Sequence, residues 1–175
     1  MNARADLDRV DRLLARHEDL RLTMAAIYER LGDWKAVVKQ LDLWLASHPE
    51  DDRRARPLRN RCGARALLGT ELSQALEDCN ESLRLAPMNN TTLGNRATVY
   101  LRMERLDFAI DDYDAALSAR RSDSGWLLFG RGLAKIRRGF EVEGRADIAA
   151  SLAISKALPS FAQSIGLIQT ATNIR

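Results

Sequence analysis

The sequence predicts an all-α chain: antiparallel helix pairs stacked into a solenoid, with a capping helix at each end. Three observations carry this. Ala, Leu and Arg are abundant, only four prolines are present, and no alternating Val/Ile/Thr run occurs, which favours helix over strand. A nine-residue pattern recurs along the chain at a spacing near 34. Glycine and proline fall between the recurrences, where helices must stop. With 46% hydrophobic and 29% charged residues, the balance predicts a packed core rather than disorder.

The recurrence is clearest between "ALEDCNESL" (75–83) and "AIDDYDAAL" (109–117), 34 residues apart. Ala75 falls opposite Ala109, Asp78 opposite Asp112, Cys79 opposite Tyr113 and Leu83 opposite Leu117. Carried backwards, this register sets Arg61 against Asn95, Gly63 against Ala97 and Ala66 against Tyr100. Each unit then reads as two helices. The first carries a small residue where a neighbouring helix approaches closely. The second carries Ala near its start and Leu or Ile near its end, an apolar stripe at helical spacing.

The elements follow in order. Residues 1–17 form a leading helix, with Leu7, Val10, Leu13 and Leu14 at helical spacing. Unit 1 (18–51) lies 38 residues ahead of unit 2, setting Ala25, Tyr28, Leu41, Leu45 and Pro49 against Gly63, Ala66, Cys79, Leu83 and Pro87. The polar stretch "EDDRRAR" (50–56) absorbs the extra residues. Inside unit 1, "LGDW" (31–34) supplies the glycine that stops the first helix. Unit 2 (56–89) ends at "APMNN", and unit 3 (90–122) follows at the 34-residue register. In unit 4 (123–158), Trp126, Gly130 and Leu133 match Leu93, Ala97 and Tyr100, while Ala146 and Ala153 match Ala109 and Ala116. That stretch in spacing predicts a lengthened turn near "RRGFEVEG" (137–144). Residues 159–175 start at Pro159 and carry Phe161, Ile165 and Ile168, an amphipathic cap for the last unit. The closing "ATNIR" is expected to fray.

The period, the order small residue/Tyr/Gly-turn/Ala/Leu/Pro, and the segments "YERLGDW", "AIDDYDAAL" and "LRLAPMNN" resemble tetratricopeptide repeats (TPR) over about residues 18–158, and the resemblance implies a right-handed superhelical solenoid. Val37 and Trp44 depart from that pattern, where small residues are usual, as do Arg121 in place of a terminal proline and the lengthened turn of unit 4. The last two units also resemble TPR modules of proteobacterial proteins, some joined to retropepsin-like aspartyl protease domains; no such domain is visible in this sequence.

Candidate chemistry largely dissolves against the repeat. Cys79, opposite Leu41, Tyr113 and Ala150, reads as a buried, inert core thiol with Asp78 and Asn80 as solvent-facing neighbours. Cys62 reads the same way, and two lone cysteines without an export signal predict a reducing, cytoplasmic setting without disulfides. His17, His48, Cys62 and Cys79 lack metal-ligand spacing. "SDSG" (122–125) matches an aspartyl-protease triplet only superficially and reads as the linker between units 3 and 4. The glycines of "FGRGLAKIRRGFEVEG" follow no strand, so a dinucleotide site is not expected. No catalytic residue, metal or cofactor is predicted, and no stretch is long enough to span a membrane.

What remains is charge. The net charge is +3, and residues 53–65 hold Arg53, Arg54, Arg56, Arg59, Arg61 and Arg65 beside the acidic "PEDD". The resemblance implies that a partner peptide lies in a concave groove lined by each unit's first helix. Transferred unit by unit, that places Arg30, Asn60, Arg61, Asn95, Thr98, Arg102, Arg131 and Lys135 in the groove, with Arg102 equivalent to Lys135. Such a basic strip with two amides suits an acidic segment or a terminal carboxylate. The carboxylate clamp of chaperone co-factors is not matched, since Ala64, Ser124 and Leu128 stand where polar or basic groups are needed. The reading is a non-enzymatic cytoplasmic scaffold or adaptor for a protein partner, plausibly acidic. The alternatives are a nucleic-acid-associated repeat protein using the 53–65 arginines, disfavoured by the scarcity of aromatics, and a regulatory or self-assembling module.

Overall fold

The computed structural model describes residues 3–15, 18–118 and 124–169. His17, Arg121, Asp123 and the "ATNIR" tail lie outside the described residues. Every regular element among the described residues is helical. A leading helix, α1 (Ala3–Leu13), precedes four antiparallel pairs. These are α2 (Leu20–Arg30) with α3 (Trp34–Ser47), α4 (Ala55–Leu68) with α5 (Leu72–Leu85), α6 (Asn90–Arg102) with α7 (Leu106–Ser118), and α8 (Ser124–Arg138) with α9 (Glu141–Ile154). A short helix, α10 (Leu158–Ser164), follows. Second helices pack on the first helix of the next pair, while α6 also touches α4 and α8. The first helices therefore form one layer and the second helices another.

Local chemistry sets the helix ends. The Asp33 and Asn89 side chains accept from the backbone N–H of Ala36 and Thr92 at 3.0 and 3.1 Å, capping α3 and α6. Each first helix ends on a left-handed residue: Gly32, Gly69, Glu104 and Gly139, at φ 70°, 69°, 55° and 99°. Three of the four are glycine because that conformation crowds a Cβ.

These turn residues fix the register between units, and it differs from the constant-period reading. The buried residues seven positions before them are Ala25, Cys62, Ala97 and Gly132. They face Leu41, Cys79, Tyr113 and Ile148 on the second helices, all buried. Cys62, not its half-buried neighbour Gly63, therefore holds unit 2's close-approach position. An extra residue in the α4–α5 turn, where Glu71 is also left-handed at φ 51°, shifts α4 by one relative to the sequence register. In unit 4 the crossing with the second helix belongs to Gly132, while Gly130 makes room for the Tyr113 ring of α7, and Ile148 rather than exposed Ala150 is the equivalent of Cys79. The expected lengthening near 137–144 is absent: only Gly139 and Phe140 separate α8 from α9. A Cβ on Gly132 would lie 2.8 Å from the Gly144 carbonyl oxygen, so these two helices need glycine where they cross.

The cysteine expectation is also corrected. Cys62 and Cys79 form a disulfide joining α4 to α5, because both occupy the buried crossing of unit 2. The cysteine count thus no longer argues for a reducing compartment. No described helix is long and apolar enough to cross a membrane.

The apolar core runs as three clusters, around unit 1, unit 2, and units 3–4 with the C-terminal segment. Val37 and Trp44, unusual for the repeat, are both buried, and the Trp44 indole N–H donates to Asp19 at 2.9 Å. The leading helix packs with Leu7 and Leu14, whereas Leu13 is 81% exposed and Val10 also faces solvent. Charge does more of its docking. Asp11 accepts from Arg21, Gln40 and Lys39 at 3.0, 2.7 and 2.5 Å.

Candidate partner-docking groove

The corrected register aligns Arg61, Arg96 and Arg131, one position before the close-approach residue of units 2, 3 and 4. Each makes the same three contacts. Arg61 donates through Nε and Nη2 to Asp78 at 2.8 and 2.5 Å, and through Nη1 to Asp42 of the preceding pair at 2.8 Å. Arg96 holds Asp112 at 2.7 and 2.8 Å and reaches back to Asn80 at 2.9 Å. Arg131 holds Asp147 at 2.7 and 2.6 Å and reaches back to Asp114 at 2.6 Å. A guanidinium presents parallel donors that match a carboxylate's two oxygens, which is why one residue type recurs here. The result is a ladder tying the first helix of each of units 2–4 to its own second helix and to the preceding one.

The ladder removes several predicted groove cations from the groove. Arg65 adds a contact to Asp78 at 2.7 Å and one to Glu71 at 2.7 Å, and Lys135 adds one to Asp147 at 2.9 Å. Asp78 is consequently buried rather than solvent-facing. Burial opposes the charge of Arg61, but its hydrogen bonds to Asp78 and Asp42 outweigh this and raise its pKa. Likewise, burial works against the Asp147 carboxylate, yet Arg131 and Lys135 hold its pKa below the ordinary range.

Thr98 is also taken. It is buried, with its hydroxyl against the Gly94 carbonyl and the Tyr113 hydroxyl, both at 3.0 Å. Asn95 donates to the Arg59 carbonyl at 3.1 Å, and Gly63 leaves it room, since a Cβ there would lie 2.7 Å from the amide nitrogen. Arg102 is equivalent to Arg137 and Arg30, two positions before the turn residue, and not to Lys135. It donates to the Leu67 and Ile165 carbonyls at 2.9 and 2.7 Å. Burial and the neighbouring Arg137 lower its pKa, and no carboxylate pairs with it among the described residues.

Three pockets follow the first helices of units 1–3. One of about 240 Å³ is lined by Glu29, Trp34, Arg56, Arg59, Asn60 and Asn95. A second of about 290 Å³ shares Arg56 and Asn60 and is floored by Leu22, Ala25 and Pro57. The third, about 190 Å³, runs from Gly63, Leu67 and Asn95 to Trp126 and Phe161. Arg59 reaches only the Asn60 side chain, at 3.0 and 3.1 Å; burial and then Arg56 lower its pKa, against the pull of Glu29. Among the described residues neither Arg56 nor Arg59 makes an ion pair. The structure thus brings Asn60 and Asn95 together with two cations the groove transfer omitted, and leaves Arg30 exposed at the end of α2. The one-residue shift of α4 accounts for this, since it puts Arg59 beside Asn60 at the pocket and turns Arg61 to the ladder.

Of the other arginines in 53–65, Arg53 pairs with Asp19 and Asp51, and Arg54 donates to the Pro49 carbonyl. Ser124 and Gly125 open α8 rather than forming a linker. Among the described residues no group of three or more His, Cys, Asp or Glu side chains is placed to hold a metal ion.

No family model matches the chain, and no curated protein sequence does. Solved structures do. The chain is similar to MamA 41-end from Desulfovibrio magneticus RS-1, at 18% identity and a TM-score of 0.62, over 90% of this chain and 88% of that one. A crystal structure of MamA protein gives 17%, 0.63, 89% and 86% in the same order. TTC0263, a thermophilic TPR protein in Thermus thermophilus, gives 19%, 0.65, 88% and 86%. Together with the stacked helix pairs, these likenesses give the chain the fold of a TPR-type helical-repeat solenoid.

Proposed function

We propose that this chain is a non-enzymatic scaffold or adaptor that docks a partner polypeptide along its first-helix groove, with the entry surface at units 1–3. The observation that carries this reading is Arg56 and Arg59, two guanidiniums without a carboxylate partner beside Asn60 and Asn95 in adjoining pockets. The ladder arginines Arg61, Arg96 and Arg131 each hold an aspartate, whereas these two guanidiniums hold none and stay available to a partner's carboxylate. Cations and amides over an apolar floor of Leu22 and Pro57 suit an extended segment with an acidic side chain and an apolar neighbour. Arg30 is exposed at the end of the helix that carries Glu29 of the pocket. Arg61, Arg131 and Lys135 serve this function indirectly, by holding the helices that shape the groove.

The test is affinity capture from native lysate with wild type beside Arg56→Glu/Arg59→Glu, followed by direct binding of the captured protein. The reading expects the partner to be lost from the variant while its helicity is unchanged. Equal capture by both proteins would sink it.

A further inference from the structure

The far half of the groove is already filled, by the chain itself. After α9, Ser155–Ala157 turn the chain so that α10 lies against α8. Phe161 meets the Trp126 ring edge-on at 5.5 Å, and Leu158 approaches Gly125. Ala162 is completely buried and Leu167 is 4% exposed. Their backbones close the helix in a glycine-ended motif. The Leu167 N–H bonds to the Ala162 carbonyl at 2.8 Å, and the Gly166 N–H to Gln163 at 2.9 Å, with Gly166 left-handed at φ 67°.

Such an end leaves the C-cap Ile165 carbonyl open to a donor, and the chain just beyond it presents the Leu167 carbonyl. Two equivalent arginines of successive units collect them. Arg102 donates to the Ile165 carbonyl at 2.7 Å and Arg137 to the Leu167 carbonyl at 2.8 Å. Behind them lies a pocket of about 500 Å³, bounded by α6, α8 and residues 166–169. In unit 1 the equivalent Arg30 is exposed, and in unit 2 the position is Leu67. The grip is therefore specific to the half of the groove that the segment covers.

We propose that residues 158–169 act as a cis-bound ligand of units 3 and 4, and that this half of the groove accepts, in trans, a partner segment of the same chemistry. That chemistry is a short apolar helical turn closed by glycine, whose last carbonyls Arg102 and Arg137 take. The inference rests on the groove-docking reading and divides it: the acidic part of a partner meets Arg56 and Arg59, and its apolar part must displace the chain's own segment. The contacts permit displacement, because three connecting residues tether the segment and most of its side chains other than Ala162 and Leu167 remain partly or fully exposed.

The test uses the 175-residue chain and a labelled peptide of sequence LPSFAQSIGLIQ, followed by fluorescence anisotropy. The segment variant Phe161→Asp/Leu167→Asp empties the groove; a second variant adds Arg137→Ala to it. If the native segment occupies its site 90–99% of the time, wild type binds the peptide about 10- to 100-fold more weakly than the segment variant does. Adding Arg137→Ala is expected to cost most of the affinity regained. Absence of peptide binding by a segment variant that stays helical would overturn the proposal. Loss of helicity in that variant would overturn it too, by making the segment a part of the core. Neither outcome touches the Arg56/Arg59 test, which reads the other half of the groove.

Discussion

Asp78→Asn separates the ladder from ordinary surface charge. The substitution preserves side-chain volume but removes the carboxylate that Arg61 grips through two nitrogens and Arg65 through a third. Asp78 is 6% exposed, and Arg65 and Arg61 are 9% and 17% exposed. Breaking a buried pair from one side costs about 3–5 kcal/mol, because the remaining charge stays desolvated. Here Asp42 and Glu71 still serve the two arginines, so about 2–4 kcal/mol is the expectation. For a chain of this length that is a Tm drop of roughly 5–12 °C. Thermal melts followed by circular dichroism would read it, with Asp114→Asn as the comparison. Asp114 is 52% exposed and touches Arg131 once, so its loss should cost about 0.5 kcal/mol or less. Equal, small shifts for both variants would refute the ladder as a source of stability.

Two further outcomes follow from the packing. Burial raises the Asp11 pKa, but hydrogen bonds from Lys39, Gln40 and Arg21 outweigh it and hold the carboxyl at about 2, below its ordinary 3.8. The stabilisation is therefore fully present above about pH 4 and lost as pH falls toward 2; an acid titration should release α1 in that window, and Asp11→Asn should flatten the change and cost roughly 1–2 kcal/mol at neutral pH. Gly132→Ala places a methyl 2.8 Å from the Gly144 carbonyl oxygen and 2.9 Å from Ile148, so overpacking should cost about 1–3 kcal/mol in urea unfolding, with an unchanged m-value.

How far the residues alone revealed this molecule depends on what kind of interaction decided each feature. The helix pairs were legible because their punctuation is chemical: Gly32, Gly69 and Gly139 end first helices, and Pro49 and Pro87 follow second ones. The single-residue register was not. It turns on Glu71 and Glu104 adopting left-handed conformations, for which glutamate carries no sequence signal, and on Cys62 and Gly63 being adjacent and both small. That one-residue error hid the Cys62–Cys79 pair, since it set Gly63 opposite the cysteine. It also set Arg61 against Asn95 instead of Arg96.

A signal for the ladder was nonetheless present. Arg61, Arg96 and Arg131 recur every 35 residues, with Asp78, Asp112 and Asp147 recurring beside them on the second helices. A periodic cation with a periodic anion one helix away points to pairing rather than to an open basic strip. The C-terminal segment was legible as an amphipathic cap from Pro159 and Phe161. Its grip by Arg102 and Arg137 depends on side chains of α6 and α8 meeting backbone carbonyls of the C-terminal segment, which spacing along the chain does not encode.

The central claim is a division of labour: arginines on the ladder hold the fold, and arginines in the open pockets hold the partner. Arg59→Glu and Arg96→Glu, measured side by side for Tm and for capture of the same partner, test it most directly. The account predicts that Arg59→Glu abolishes capture with Tm within about 2 °C of wild type, while Arg96→Glu lowers Tm by roughly 5 °C or more. Capture that survives Arg59→Glu, or a Tm that ignores Arg96→Glu, would contradict it.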